Sequence, residues 1–300
     1  MRNQFYIQSK DGITQIHVME WIPDSKIRAI LQIAHGMVEH IERYDEFATY
    51  LSEQGIYVVG HSHLGHGKSV TGKDKLGYFH APNGNACVIG DIHELRQITQ
   101  KKYPDIPYYM LGHSMGSFLL RQYLGLYSSD LAGAIIMGTG NQSEIALAGG
   151  KCVCKVLAAF KGWEYRSDFV NSLVIGGYEK KMGKAWLTKN TEKAAQYAND
   201  PLCGFVFTLN GFYHMFDGMA KMNKQEKAGN IPKVLPIVFV AGSEDPVGNN
   251  GKGVEAVYQR YLEKGAKNVS LKLYEGDRHE ILNELDRVTV YKDILSWMER

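Results

Sequence analysis

The chain has 300 residues, of which 44% are hydrophobic and 22% are charged, with 34 Lys and Arg against 32 Asp and Glu. A chain of this length can bury a large core, and it suits a single α/β domain that carries an insertion. The formal net charge of +2, without any run of five like charges, gives no indication of a nucleic acid or an anionic membrane surface as a partner, and we expect no nucleic-acid binding.

Predicted strands and helices alternate along most of the chain. Runs that are apolar or that alternate apolar and polar residues predict strands at residues 4–8, 14–21, 29–34, 56–59, 108–111, 134–137, 234–240 and 269–274. The first two strands are expected to form a hairpin with its turn at Asp11-Gly12. Helical periodicity predicts helices at residues 44–54, 85–102, 117–127, 253–264 and 281–298. This alternation is typical of a mostly parallel sheet with helices on both faces, so the predicted fold class is α/β.

The alternation stops after the sixth predicted strand. Residues 141–228 show helical patterns and no clear strand, which predicts a helical cap, or lid, inserted into a core formed by residues 1–140 and 229–300. Ligands of open α/β sheets bind outside the carboxyl ends of the strands, and we expect the cap to lie there.

The sequence Gly112-His-Ser-Met-Gly116 lies between a predicted strand and a predicted helix. In that context G-x-S-x-G forms a nucleophile elbow, a tight turn that presents the serine hydroxyl while the flanking glycines let strand and helix pass closely. The pattern predicts that Ser114 is a catalytic nucleophile. A serine hydroxyl needs a base to take its proton and an acid to orient that base.

Candidates for both partners follow later predicted strands. Asp245 follows the apolar run at 234–240, and His279 follows the alternating run at 269–274. The chain order of serine, acid and histidine is that of α/β-hydrolases, and it differs from the order in chymotrypsin and subtilisin. We therefore expect His279 to act as general acid and base, and Asp245 to hold its imidazole in one tautomer.

Acyl transfer also needs backbone N–H groups that stabilise the oxyanion of the tetrahedral intermediate. His35-Gly36-Met37 follows the strand predicted at 29–34, which is the position of an oxyanion loop. We expect the N–H of Met37 and that of Met115, directly after the nucleophile, to supply the two donors. The helix predicted to follow Ser114 also points its positive end at the developing charge.

Five motifs resemble those of monoacylglycerol lipases and bacterial lysophospholipase-like hydrolases of the α/β-hydrolase superfamily. They are His35-Gly-Met-Val-Glu-His-Ile-Glu-Arg-Tyr44, Gly65-His-Gly-Lys-Ser69, Asn199-Asp-Pro-Leu202, Asp245-Pro-Val-Gly248 and Arg278-His-Glu280. The resemblance spans nearly the whole chain. It implies the α/β-hydrolase fold and a serine esterase that acts on acylglycerols or lysophospholipids, a small-molecule ester with an apolar acyl chain. One position departs from the family's D-H-x-G-H-G pattern, because Ser62 stands where the Asp is usual.

Other functions remain open at this point. Serine peptidases and thioesterases use the same constellation, and fold does not fix function. A hydrolase-fold binding protein without turnover is a further alternative, although the complete set of serine, acid and histidine argues against it. A dehalogenase is disfavoured because the elbow holds serine instead of aspartate.

No cofactor and no metal are predicted. The histidines at 61, 63 and 66 have spacing close to that of metal ligands, but hydrogen bonds that support their loop are the favoured interpretation. The four cysteines show no disulfide spacing, as expected in a reducing compartment. The N-terminus has no apolar signal-peptide core, and no run approaches the roughly 20 apolar residues of a membrane span. We therefore expect a soluble, cytoplasmic protein with no integral membrane segment.

Two apolar sets in the predicted cap are candidates for the wall of an acyl pocket. They are Val153, Val156, Leu157 and Phe160, and then Phe205, Val206, Phe207, Leu209, Phe212, Met215, Phe216 and Met219. Packing of the cap onto the core is the alternative for most of them. For Arg43, His113 and His214 we expect supporting contacts more than a direct part in catalysis.

Overall fold

An eight-stranded sheet runs through the centre of the computed structural model, which describes residues 1–300 apart from the side chains of Lys181 and Lys184. The strands are β1 (Arg2–Gln8), β2 (Gln15–Trp21), β3 (Ala29–Ala34), β4 (Ile56–His61), β5 (Tyr108–His113), β6 (Gly133–Met137), β7 (Ile237–Gly242) and β8 (Val269–Tyr274). Their order is β1-β2-β4-β3-β5-β6-β7-β8. β2 pairs antiparallel with β1 and β4, and β3 to β8 are parallel. The predicted α/β fold class is confirmed.

Helices cover both faces of the sheet. They are α1 (Asp45–Glu53), α2 (Gly84–Lys102), α3 (Met115–Tyr127), α9 (Lys252–Glu263) and α10 (Arg287–Met298). Apolar side chains of α1 and α10 pack on one face, and those of α2, α3 and α9 pack on the other. β3, β4 and β6 are buried along their whole length because helices cover both of their faces, which explains their continuous apolar sequences.

All the structure between β6 and β7 is helical, apart from one isolated bridge between Arg166 and Thr208. It comprises α4 (Glu144–Lys161), α5 (Asp168–Asn171), a π-helical turn (Ser172–Gly176), α6 (Gly177–Met182), a 3-10 turn (Gly183–Trp186), α7 (Thr191–Asn199) and α8 (Leu209–Lys227). Four of these helices begin at a residue whose side chain accepts a backbone N–H, namely Ser143, Ser167, Asn190 and Thr208. The division into a core and a cap at residues 141–228 stays a prediction, and we call this segment the cap.

Two of the differences between predicted and observed boundaries have a clear local reason. The strand predicted at 234–240 begins only at Ile237, because Pro236 has no N–H to give to the sheet. The helix predicted at 281–298 is divided into a 3-10 turn, Ile281–Asn283, and α10. Glu284 is extended between them (ψ 172°).

The Glu284 carboxylate explains the break. It accepts hydrogen bonds from the backbone N–H groups of Arg278 and Lys189, both at 2.9 Å, and from the hydroxyl of Thr188, also at 2.9 Å. Glu284 therefore ties the loop after β8 to the cap instead of continuing a helix. Within the part of the chain that the structure describes, every helix is too short or too polar to cross a membrane.

Candidate active site

The turn from β5 to α3 holds Ser114 in a backbone conformation that is unusual for a side-chain-bearing residue, with φ 52° and ψ −119°. The helix begins directly afterwards, at Met115. A Cβ at Gly116 would lie 2.0 Å from the carbonyl oxygen of Ala34, and one at Gly112 would lie 2.3 Å from the carbonyl oxygen of Gly116. Both glycines are therefore required by close contact between main chains.

Ser114, His279 and Asp245 form a continuous hydrogen-bonded chain. The Nε2 atom of His279 lies 2.8 Å from Ser114 Oγ, and its Nδ1 atom lies 2.9 Å from Asp245 Oδ2. The second carboxylate oxygen of Asp245 accepts the backbone N–H of Val247 at 2.9 Å. Asp245 is fully buried, and the side chain of His279 is only 2% exposed. This is the geometry in which a buried carboxylate orients an imidazole toward a hydroxyl nucleophile.

Three neighbouring strands bring these residues together. Ser114 follows β5, Asp245 follows β7 and His279 lies in the loop after β8. Carboxyl ends of parallel strands meet at one edge of a sheet, so residues far apart in sequence converge there.

The loop after β3 packs directly against Ser114. A Cβ at Gly36 would lie 3.2 Å from Ser114 Cβ, and the Gly36 N–H donates to Glu39 Oε1 at 2.5 Å. Met37 and Met115 both line the cavity above Ser114. Among the described residues, no protein acceptor takes the N–H of Met37 or of Met115, so both donors are available to a ligand.

Val38 ties this loop to the cap. It has a φ of 52°, which is rare for a β-branched residue. Its carbonyl oxygen accepts the N–H of Gly204 at 2.9 Å and the hydroxyl of Tyr197 at 3.4 Å, and both donors belong to the cap. The cap thus holds the residue next to the Met37 N–H.

A buried group of charges lies beneath the loop. Arg43 donates to both oxygens of Glu280 at 2.8 Å and also to Glu39. The guanidinium carbon lies 4.8 Å from the ring centre of Tyr197. Burial alone would raise the pKa of Glu39, but Arg43 and His113 hold that pKa well below its usual range. Arg43 therefore makes the supporting contacts expected for it, because it binds Glu39 of the loop after β3 and Glu280 of the loop after β8.

His113 connects this charged group to the loop of His279. Its Nδ1 lies 3.1 Å from the hydroxyl of Tyr44 and 3.4 Å from Glu39 Oε1, and its Nε2 lies 3.2 Å from the carbonyl oxygen of His279. Burial would lower the pKa of His113, but the contact with Glu39 raises it overall. His113 fixes the backbone that carries His279.

The histidines at 61, 63 and 66 are fully buried together with His35. His63 donates its backbone N–H to His35 Nε2 at 2.8 Å, and its ring lies 3.3 Å from that of His61. The Nδ1 of His66 lies 3.2 Å from the carbonyl oxygen of Leu64. Burial lowers the pKa of His61 to about 3, and burial with the neighbouring His63 lowers that of His66 to about 3. These neutral rings support the loop behind the nucleophile, as the sequence analysis favoured.

Ser62 fills the buried position where the family usually has aspartate. Its hydroxyl accepts the N–H of Ile41 over a long 3.5 Å, and a Cβ at Gly67 would lie 2.6 Å from Ser62 Oγ. The departure thus replaces a carboxylate by a short neutral side chain, and it leaves Ser114, Asp245 and His279 in contact.

A cavity of about 480 Å³ lies between the core and the cap and opens onto Ser114 and His279. Of the two apolar sets proposed for its wall, four residues line it: Val153, Met215, Phe216 and Met219. Two others face solvent, with Val156 53% and Phe160 83% exposed. Phe207, Leu209 and Phe212 are buried in the packing of the cap onto the core, which was the alternative.

Most of the remaining apolar wall comes from residues that the sequence analysis missed. They are Leu147, Val170, Leu173, Val174, Ile175, Trp186 and Leu187. Several lie in short π and 3-10 turns, which leave no regular apolar period in the sequence. Trp186 also packs on His279, with its ring 5.2 Å from the imidazole at an angle of 32°. The indole therefore restricts the motion of the imidazole.

Apart from the buried histidines, a cluster of side chains that can bind a metal lies outside the lining of the cavity. The side-chain ligand atoms of His40, Asp200 and Cys203 all lie within 4.8 Å of one another. His40 Nε2 and Asp200 Oδ2 are 2.8 Å apart. His40 belongs to the loop after β3, and the other two residues belong to the cap.

Residues 25–286 match the family model Hydrolase_4, described as serine aminopeptidase, S33. The chain belongs to this family. This α/β-hydrolase is 26% identical to the human monoglyceride lipase over 286 residues, which cover 93% of this chain and 85% of that protein. It is 25% identical to the monoacylglycerol lipase of Mycolicibacterium smegmatis over 281 residues, or 93% of this chain and 90% of the other.

Solved structures agree with the family match. A thermostable carboxyl esterase from Bacillus coagulans, solved in complex with glycerol, superposes with a TM-score of 0.91 at 29% identity and covers 99% of this α/β-hydrolase and 98% of its own chain. A lipase in an open form superposes with a TM-score of 0.90 at 26% identity. The resemblance to monoacylglycerol-lipase-like hydrolases is confirmed over nearly the whole chain.

Proposed function

We propose that this α/β-hydrolase is a serine esterase that cleaves carboxylic esters of lipid-like substrates, monoacylglycerols or lysophospholipids, through an acyl-Ser114 intermediate. One observation carries the proposal: Ser114, His279 and Asp245 form one hydrogen-bonded chain, and its serine and histidine line an apolar cavity. In this proposal Ser114 is the nucleophile, His279 the acid and base, and Asp245 the residue that orients His279.

The first half-reaction forms the acyl-enzyme. Ser114 Oγ attacks the ester carbonyl carbon while its proton passes to His279 Nε2, 2.8 Å away. The N–H groups of Met37 and Met115 hold the oxyanion, and each such donor is worth roughly 3–4 kcal/mol in the transition state. The carbon–oxygen bond to the alcohol then breaks, and the alcohol leaves with the proton from His279.

The second half-reaction releases the acid. Water gives a proton to His279 and attacks the acyl carbon, and the returned proton restores the hydroxyl of Ser114 as the carboxylic acid leaves. Asp245 stabilises the imidazolium in both steps, since it faces Nδ1 at 2.9 Å. Trp186 and His113 keep the imidazole and its backbone in place during the exchange.

The cavity supports an apolar acyl group as the part of the substrate that is recognised. Its volume of about 480 Å³ lies within the range of roughly 300–1,000 Å³ that is usual for small-molecule sites. Each methylene that leaves water for such a wall contributes about 0.8 kcal/mol. The names of the relatives, monoglyceride and monoacylglycerol lipases, support a glycerol ester as the substrate class.

We also propose a cytoplasmic location. The four cysteines support it, because all of them are free thiols, as is usual in a reducing compartment. No cofactor enters the proposed reaction, since the hydroxyl, imidazole and carboxylate balance every proton that moves.

The test is hydrolysis of p-nitrophenyl esters from acetate to palmitate, and of a monoacylglycerol, by the wild type and by Ser114→Ala. We expect turnover that favours medium or long chains and that is lost in Ser114→Ala without a change in the unfolding transition. Asp245→Asn should keep its fold and lower kcat by about 10⁴-fold, because the imidazole adopts the wrong tautomer.

Parallel assays with aminoacyl p-nitroanilides and acyl thioesters separate the alternatives. If Ser114-dependent cleavage of the anilides or of the thioesters is faster than that of the oxygen esters, the preferred substrate is a peptide or a thioester. A folded wild type that hydrolyses none of them would overturn the enzyme proposal in favour of a binding protein.

A further inference from the structure

We propose that His40, Asp200 and Cys203 form a binding site for a Zn²⁺-like divalent cation that joins the cap to the loop after β3. One imidazole nitrogen of His40, one carboxylate oxygen of Asp200 and the Sγ of Cys203 all lie within 4.8 Å of one another. The site is distinct from the catalytic residues, and the proposed ester hydrolysis does not use it.

The turn that begins at Asp200 places the two ligands of the cap, Asp200 and Cys203, close together. Cys203 donates its backbone N–H to the carbonyl oxygen of Asp200 at 3.0 Å. Leu202 donates its N–H to Asp200 Oδ1 at 2.8 Å, which fixes the carboxylate and leaves Oδ2 directed at His40. The chain therefore positions an oxygen and a sulfur ligand before any cation arrives.

His40 has the environment of a metal-bound histidine. It is only 5% exposed, with Nε2 facing Asp200. Its other nitrogen, Nδ1, is buried without an aligned hydrogen bond, while Glu42 Oε2 lies 3.3 Å away. Metal-bound histidines commonly direct their second ring nitrogen at a carboxylate, which fixes the tautomer. Lys68 holds Glu42 in place through a contact of 2.7 Å to its other oxygen.

The distance between the ligand atoms of His40 and Asp200 is close to that in a tetrahedral site. Zinc bonds of about 2.0 Å to nitrogen and oxygen and about 2.3 Å to sulfur place ligands roughly 3.3–3.8 Å apart. His40 Nε2 and Asp200 Oδ2 are now 2.8 Å apart, so a cation would separate them by about half an ångström. The side chain of Asp200 is 28% exposed, which gives a route from solvent and room for a water as fourth ligand.

The surrounding charge also favours a dication. Arg43 is paired with Glu39 and Glu280, and Lys68 is paired with Glu42. With Asp200 included, four carboxylates face these two cations, so the six side chains carry a charge of −2, and protonation of His113 beside Glu39 brings the sum to −1 before a metal binds. The thiol of Cys203 gives its proton to solvent on coordination.

The donor set selects the kind of metal. One imidazole nitrogen, one thiolate and one carboxylate oxygen suit zinc and cobalt, whereas calcium and magnesium prefer sites made only of oxygen. Binding would strengthen the contact between cap and loop, because Gly204, next to Cys203, donates its N–H to Val38 at 2.9 Å.

The experiment is a titration of the chelator-treated, full-length protein with Co²⁺ and with Zn²⁺. Wild type, Cys203→Ser, Glu42→Gln and the control Cys152→Ser are compared, since Cys152 is an exposed cysteine of α4 away from the site. Circular dichroism and thermal unfolding without metal establish that each variant is folded.

We expect one equivalent of Co²⁺ to give a thiolate-to-cobalt charge-transfer band in wild type and in Cys152→Ser. The band should vanish in Cys203→Ser, and Glu42→Gln should bind about 10- to 100-fold more weakly. Zn²⁺ should raise the Tm of wild type and not that of Cys203→Ser. A band that is absent from wild type, or that persists unchanged in folded Cys203→Ser, would overturn the proposal.

Discussion

Arg121 and Glu226 form a two-pronged ion pair that is almost completely buried, with Nε and Nη2 each 2.8 Å from a carboxylate oxygen and the side chains 0% and 1% exposed. Arg121 lies on α3, the helix that begins after Ser114, and Glu226 lies in the last turn of α8, where the cap returns to the core. Arg260 of α9 and the hydroxyl of Tyr261 also bind Glu226, at 2.8 Å and 3.2 Å.

Removing the charge of Glu226 should be costly. Glu226→Gln leaves the Arg121 guanidinium buried without its counter-charge, and breaking such a pair costs about 3–5 kcal/mol of the free energy of unfolding. Urea unfolding measures this. The matched control is Glu144→Gln, since Glu144 pairs with Lys227 at a contact where both side chains are more than half exposed, and it should cost under about 1 kcal/mol. Equal effects of the two variants would contradict the prediction.

Gly116→Ala should prevent normal folding of the elbow. The new Cβ would stand 2.0 Å from the carbonyl oxygen of Ala34, so strand and helix must separate. We expect a loss of about 3 kcal/mol or more in stability and loss of ester hydrolysis. Gly149→Ala is the control, because a Cβ at this position on α4 meets nothing within 4 Å. That variant should gain about 0.5–1 kcal/mol from helix propensity. Thermal unfolding of both proteins decides the comparison.

The wall of the cavity can be tested on one helix. Val153 lines the cavity, while Val156 of the same helix is 53% exposed. Val153→Trp should occupy acyl space and lower kcat/KM for long-chain esters by about tenfold or more relative to acetate, since overpacking costs about 1–3 kcal/mol. Val156→Trp should leave the chain-length profile unchanged. The measurement is kcat/KM for p-nitrophenyl esters of increasing chain length with both variants. A change in Val156→Trp alone would show that the acyl chain binds elsewhere.

The buried histidines should make stability fall in mild acid. A histidine whose folded pKa is depressed contributes stability above its unfolded pKa, 6.5, and that stability is lost as the pH falls toward the folded value, about 3 for His66. Each such group contributes a slope of about 1.4 kcal/mol per pH unit. His66→Phe keeps the packing against Phe79 and Phe207 and removes one group.

Between pH 6.5 and about 5, the free energy of unfolding of His66→Phe should therefore fall less steeply than that of wild type, by about 1.4 kcal/mol per pH unit. Asp91, whose pKa burial raises to about 7, opposes the trend in both proteins, so it cancels in the difference. Urea unfolding at a series of pH values measures it. Parallel curves over this range would show that His66 is protonated in the folded state.

The sheet and the hydrogen-bonded serine, aspartate and histidine were predictable because they follow short-range patterns. Continuous apolar runs defined the buried strands, and Ser114, Asp245 and His279 each follow one of them. Parallel strands then bring their carboxyl ends together, so three residues separated by 131 and 34 positions could be placed at one site.

What escaped prediction depends on contacts between distant residues. The wall formed by Val170, Leu173 and Trp186 comes from a four-residue helix, a π-helical turn and a 3-10 turn, each too short to show a helical period. The pairing of Arg43 with Glu280, 237 residues away, leaves no local mark in the sequence. Glu284 interrupts an otherwise regular helical pattern because its carboxylate has partners in the cap.

The carbonyl of Val38 sets a condition for chimaeras of this protein. Any transplanted cap has to bring a main-chain N–H and a hydroxyl to that oxygen, as Gly204 and Tyr197 do here. Without them, a valine with φ of 52° loses the partners that compensate its backbone strain. The compatibility of a foreign cap with this core therefore depends first on the hydrogen bonds to this one peptide group, and only then on the apolar surface between cap and core.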